Sequence, residues 1–138
     1  MNDHPLGRLN TSIEDFEMSL RHSNARITCC FPKIQPLKIY ILIRESVDVG
    51  HAVNCAAHAS LCLYLRHEND PLVREWAFNS FRKVSCVVTD DEFERAKQFE
   101  GFELITESKL PQPEVALVFK PRVEWDSFFK TLKLYGSK

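Results

Sequence analysis

Glycine is scarce in this chain. Its 138 residues hold only Gly7, Gly50, Gly101 and Gly136, too scattered to build a Gly-rich phosphate loop. An excess of either charge is missing too. The formal net charge is −1, so no global basic field advertises nucleic acid. An anionic partner would have to be met by local clusters: Arg82 with Lys83, Lys120 with Arg122, or Lys130 with Lys133. The plainer reading of each is a solvated face. No apolar run approaches the roughly 18 residues of a membrane span. The N-terminus lacks the apolar core of a secretory signal. The cysteines, at 29, 30, 55, 62 and 86, are odd in number and form no CxxC pair. That excludes a disulfide framework or a zinc ribbon. A reducing cytoplasm is the expected location, and no membrane partner, metal or cofactor is expected.

With 44% hydrophobic and 27% charged residues, the chain is expected to hold one globular domain with a real core. Residues 1–36 read as an extension. Thr11 and Glu14 make a capping box, and Ile13, Phe16 and Leu20 share one helical face. A short amphipathic helix is expected at Ser12 to His22, followed by an irregular stretch broken by Pro32 and Pro36. The domain proper is expected over residues 37–138.

Its organising stretch runs from Lys38 to Arg66. Ile39 to Ile43 is an apolar, β-branched run ending at Arg44, which predicts a buried strand. After the polar loop Glu45 to Asp48, Gly50 to Arg66 is dense in Ala, Leu and Cys and predicts a buried helix capped by Asp48. A helix fed directly by a strand has its N-terminus at the carboxyl edge of the sheet, where ligands bind in open α/β folds. His51, Asn54 and His58 fall at i, i+3 and i+7, with Cys55 and Cys62 continuing that side. His51 lies in the first turn, where the helix dipole disfavours imidazolium, and a neutral imidazole there is a candidate base. The bland reading is that histidines on an apolar helix pack or rim it.

Asp70 and Pro71 open a second helix to about Ser80. Arg82 to Thr89 is the second strand. Thr89 and Glu92 cap a helix over Asp90 to Phe99, stopped by Gly101. Phe102 to Thr106 and Val115 to Phe119 are two further strands, near enough in sequence to pair antiparallel. Glu124 to about Leu132 is a last helix with Trp125, Phe128, Phe129 and Leu132 on its apolar face. The predicted fold is α/β, in the order β-α-α-β-α-β-β-α. It has a four-stranded mixed sheet, the first two strands parallel, and helices on both faces.

Strand, loop and GHAVNCAAHASL together resemble the first motif of the type II peptidyl-tRNA hydrolases. Arg44 matches that family's strand-ending arginine, Gly50 its glycine, and His58-Ala59 its His-Ala pair. FRKVSCVVTDDEFERAKQF resembles its second strand and following helix. FELITESKLPQPEVALVFKP resembles its closing hairpin, ending at Pro121. The resemblance covers about residues 38–135, and element order and lengths agree. It implies metal-independent hydrolysis of the ester between a peptide and the terminal ribose of tRNA. The family's lysine position is occupied here by His51 and its small-run glutamine by Cys55. The aspartate region reads Thr106-Glu107, and the fourth-strand hydroxyl position is Val115 or Ala116. A divergent branch of the family also lacks the lysine.

On this reading His51 would orient or deprotonate water, and Glu107, beside Thr106, would hold the imidazole. Gly50 and His51 N–H groups would steady an oxyanion. Arg44, Arg82 and Lys83 would meet the tRNA backbone, with Asn54 and His58 lining the substrate side. A homodimer is one assembly the fold is expected to allow. The competing expectation is a non-catalytic RNA- or protein-binding homologue with the same fold. A thiol hydrolase built on Cys55 and His58, or a metal site from His51, Cys55, His58 and Cys62, is disfavoured. Free buried cysteines usually just pack, and one helix rarely aims more than two ligands at one ion.

Overall fold

Ile39, Ile41 and Ile43 point to one side of the first strand, and Tyr40 and Leu42 to the other, as the two-residue period of a strand requires. Both sides are buried. This strand, β1 (Lys38–Arg44), lies in the middle of the sheet. The structure is a computed structural model and describes residues 36–138. The helix expected at Ser12 to His22 lies outside the described residues.

The elements that follow are α1 (Val49–His67), α2 (Pro71–Glu75), β2 (Arg82–Val88), α3 (Asp90–Ala96), β3 (Phe102–Thr106), β4 (Glu114–Phe119), α4 (Ser127–Thr131) and β5 (Lys133–Leu134). The α/β class holds, but the sheet has five strands, in the order β3-β4-β1-β2-β5, where four were expected. The added strand pairs antiparallel with β2 through Cys86 and Val87. It consists of two exposed residues, Lys133 and Leu134, so no burial alternation marks it in the sequence.

β1 and β2 are parallel, from Lys38 opposite Arg82 to Arg44 opposite Val88. β4 runs antiparallel to both β1 and β3. The carboxyl ends of β1, β2 and β3 therefore share one edge of the sheet, at Arg44, Val88 and Thr106. Their amino ends, with the end of β4, share the opposite edge. Seven-residue strands separate the two edges by about 20 Å.

Helices cover both faces. Ile39, Ile41 and Ile43 pack with Ala52, Cys55, Ala59 and Leu63 of α1 and with Trp76. Tyr40 and Leu42 pack with Phe93 and Ala96 of α3, and with Trp125 and Phe129. The small residues of α1 recur every three or four positions and seat it on the sheet. The expectation of a buried α1 holds for that face only. Val49, Val53, Leu61 and Leu65 lie exposed along its outer side.

Three helix ends differ from expectation. α2 is capped by Asp70 with Pro71 in its first turn, as expected, but α-helical bonding stops at Glu75. Trp76–Ser80 forms a wider π turn, closed by a 2.8 Å bond from Phe81 N–H to Trp76 O. Trp76 is fully buried, and its indole N–H donates to Arg82 O at 2.8 Å, which ties the turn to the start of β2. α3 keeps the Thr89 and Glu92 cap but ends at Ala96. Gln98 and Phe99 N–H then donate to Arg95 and Ala96, three residues back, tightening the chain before Gly101 turns it at φ +83°. α4 starts at Ser127 because Asp126 caps it, accepting from Phe128 N–H. Trp125 thus precedes the helix instead of lying on it, and is buried against Tyr40 and Phe129 at ring-centroid distances of 4.5 and 4.9 Å.

Candidate functional site

His51 lies at the carboxyl edge, in the first turn of α1. Asp48 lies in extended backbone just before α1, the geometry of an N-cap. Its Oδ1 accepts from His51 N–H at 3.0 Å, and its Oδ2 lies 2.7 Å from His51 Nδ1. The His51 N–H first, then its ring, hold the Asp48 carboxyl below its ordinary range. When Nδ1 donates to Asp48, Nε2 carries the open lone pair. The His51 ring is about one-third exposed, so that lone pair can reach a water molecule.

Two expectations about this centre change. The imidazole partner is Asp48, where Glu107 was expected. Glu107 turns into its own hairpin: its Oε1 accepts from Lys109 N–H at 3.2 Å and its N–H donates to Pro113 O at 2.7 Å. The signal for Asp48 was already in the sequence, since an N-cap carboxylate lies one turn below the residue three positions on. The expected oxyanion donors are also engaged. The Asp48 carboxylate occupies His51 N–H and is further stabilised by Gly50 N–H. A substrate anion would have to displace it.

Thr106 ends β3 on the same edge and is exposed. Asn54 and His58 are exposed on α1, while Cys55 is buried beneath them. Burial first, then the charges of Glu107 and Asp48, push the Cys55 thiol up. That favours the protonated form, a poor nucleophile. With Cys55 inward and His58 outward, the two do not form a thiol–imidazole pair. Among the described residues no three His, Cys, Asp or Glu side chains gather to hold a metal.

Arg44 was expected to meet a phosphate backbone. It is 4% exposed. Its Nε donates to Glu114 O at 2.8 Å, and its Nη1 to Asp90 at 2.6 Å. Its guanidinium lies 3.8 Å from the Phe93 ring centroid. It straps β1, β4 and α3 together from inside, and is not placed at the surface where a phosphate backbone would meet it.

Arg82 and Lys83 are exposed, but they begin β2 at the amino edge. The structure does not bring them to His51, because the parallel register sets them a full strand length away. Strand direction sets this distance, which the order of residues in the sequence does not show.

The edges also differ in charge. The carboxyl edge, counting both faces of the sheet, carries Glu45, Asp48, Asp90, Asp91, Glu92, Glu94, Glu107 and Glu114, answered by Arg44, Arg95, Lys97, Lys109 and Lys133, the last opposite Val87. The amino edge carries Lys38, Arg82, Lys83, Lys120 and Arg122. Asp70, Glu100 and Glu103 lie there too; Asp70 is paired with Lys120 at 3.1 Å, and Glu103 with Arg66 and His67 at 2.7 Å. A depression of about 320 Å³ opens between Asp70, Glu100, Lys120 and Arg122, beside Gly101 and Pro121. Lys38 and Lys120 were not singled out together from the sequence, because only strand pairing makes them neighbours.

No family model matches the chain, and none of the curated proteins matches it. No helix among the described residues is long and apolar enough to cross a membrane.

Proposed function

We propose that the chain is a non-catalytic protein of the type II peptidyl-tRNA hydrolase kind, binding tRNA without cleaving its ester. The observation that carries this reading is the separation of charge between the two sheet edges. An RNA backbone is drawn to clustered Lys and Arg and repelled by clustered carboxylates. The larger group of carboxylates shares the carboxyl edge with His51, and the exposed Arg82 and Lys83 lie about 20 Å away, across the strands. The His51 N–H, already taken by Asp48 at 3.0 Å, further weakens the case for acyl transfer, which needs open donors at the oxyanion. The free thiols of Cys55, Cys62 and Cys86 favour a reducing cytoplasm as the place of action.

A second reading, ester hydrolysis, is favoured by one specific observation: the 2.7 Å contact between His51 Nδ1 and Asp48. A carboxylate-oriented imidazole at a sheet's carboxyl edge is a competent base for water. A plain helix cap makes the same contact, so the pair alone does not outweigh the charge along that edge. Incubation with a synthetic peptidyl-tRNA separates the two readings. Salt-dependent binding with the ester intact supports the first. Cleavage that disappears in His51→Ala supports the second and overturns the first. A homodimer remains part of this proposal only as an assembly to be measured.

A further inference from the structure

Phe81 is the one described residue other than glycine with positive φ, at φ 52° and ψ 19°. A bulky residue there strains its Cβ against the backbone, and glycine is the usual occupant of that position after a helical turn. Strain of this kind clusters at sites that use it. Phe81 is also 57% exposed, so burial of its ring does not account for its presence.

Its surroundings give the ring a direction. It stacks on Trp76 at 5.3 Å with 29° between the planes. Lys83 Nζ lies 3.2 Å from the Phe81 centroid and 5.3 Å from that of Trp76. The ammonium and the indole thus flank the Phe81 ring, and more than half of the residue still meets solvent. Lys83 is fixed from below by Phe81 O, which accepts from Nζ at 3.0 Å. Arg82, opposite Lys38 in the parallel register, turns to the other face of the sheet and extends the cationic edge.

An exposed aromatic ring flanked by fixed cations is how proteins hold single-stranded nucleic acid: a base stacks on the ring and its phosphates meet Lys or Arg. We infer that Phe81, backed by Trp76, is a stacking platform for one unpaired base of RNA, with Lys83 and Arg82 meeting the flanking phosphates. This deepens the tRNA-binding proposal and rests on it.

The test is fluorescence anisotropy of the full chain with a labelled single-stranded RNA oligonucleotide, a duplex of the same sequence, and free AMP. The single strand should bind more tightly than either. Phe81→Leu should weaken it about ten-fold, the loss of one stacked base, while tRNA binding keeps its salt dependence. Phe81→Trp should restore the affinity, and its added indole fluorescence should be quenched on binding. A thermal melt of each variant reports whether it folds. Phe81→Gly, which relieves the backbone strain, is the folded control and should bind as weakly as Phe81→Leu. If Phe81→Leu and Phe81→Gly bind like wild type, or if duplex binds as well as single strand, the stacking site is refuted while the tRNA reading stands. AMP binding as tightly as the oligonucleotide would make it a mononucleotide site and overturn the inference. If no RNA of any form binds, both readings fall.

Discussion

Replacing Arg44 with methionine separates a structural arginine from an RNA-binding one. Methionine keeps most of the stem and removes the charge. The carbonyl of Glu114 loses its donor in a part-buried position, at a cost of about 1–3 kcal/mol. The contact with the Phe93 ring is lost, at about 0.5–2 kcal/mol. Asp90 and Glu94 are mostly exposed and rehydrate, so their share is about 0–1 kcal/mol. Lys97 still meets Glu94 and Glu114, at 3.2 and 3.0 Å. Arg44→Met should therefore cost about 2–6 kcal/mol. Arg44→Ala should cost about 1–2 kcal/mol more through lost stem packing. Urea unfolding at 25 °C measures both, and tRNA affinity below the transition should be unchanged. A stability loss under about 1 kcal/mol together with weakened tRNA binding would refute the reasoning and return Arg44 to the binding surface.

Other outcomes follow from the same packing. Trp125→Ala removes a ring set against Tyr40, Phe129 and Arg122 and should cost about 3–5 kcal/mol; a change under about 1 kcal/mol in denaturant would show that the ring carries little of the core. Burial alone would raise the Glu103 carboxyl, but hydrogen bonds from His67 and Arg66 outweigh it and hold the carboxyl below its ordinary value of 4.5. The stabilisation this gives is complete above about pH 4.5 and is lost as pH falls through the lower folded value. Glu103→Gln should flatten that part of an acid titration of stability, and an unchanged slope would refute the assignment. A chain of residues 36–138 should keep a cooperative unfolding transition, since the sheet and both its covering layers lie within it; loss of cooperativity would show that the preceding residues are core.

Much of the fold was legible because burial patterns write themselves into the chain. Ile39 to Ile43 and Val115 to Phe119 are apolar runs covered on both faces, and they became strands. The caps at Asp48, Asp70 and Thr89 marked helix starts because short polar side chains answer local backbone needs, while Gly101 turns the chain only after α3 has ended at Ala96. β5 was not legible, since two exposed residues carry no period. Neither was the π turn at Trp76–Ser80, which no capping residue or hydrophobic period marks. The site was legible only in part. His51 could be placed at an edge from the strand-loop-helix order alone. Which cations share that edge depends on strand direction and register, and these set Arg82 and Lys83 at the other end. The burial of Arg44 likewise depends on α3 and β4 folding over it.

The central claim is that RNA is held at the amino edge while the carboxyl edge, with the larger group of carboxylates, leaves the ester alone. The most direct test follows a synthetic peptidyl-tRNA with the wild-type chain across a salt series, scoring binding and ester cleavage in the same samples. The account predicts an intact ester and an affinity that falls with salt, with a slope reduced by about one in Arg82→Ala and in Lys83→Ala. Cleavage by the wild type that is lost in His51→Ala, with binding insensitive to Arg82 and Lys83, would contradict it.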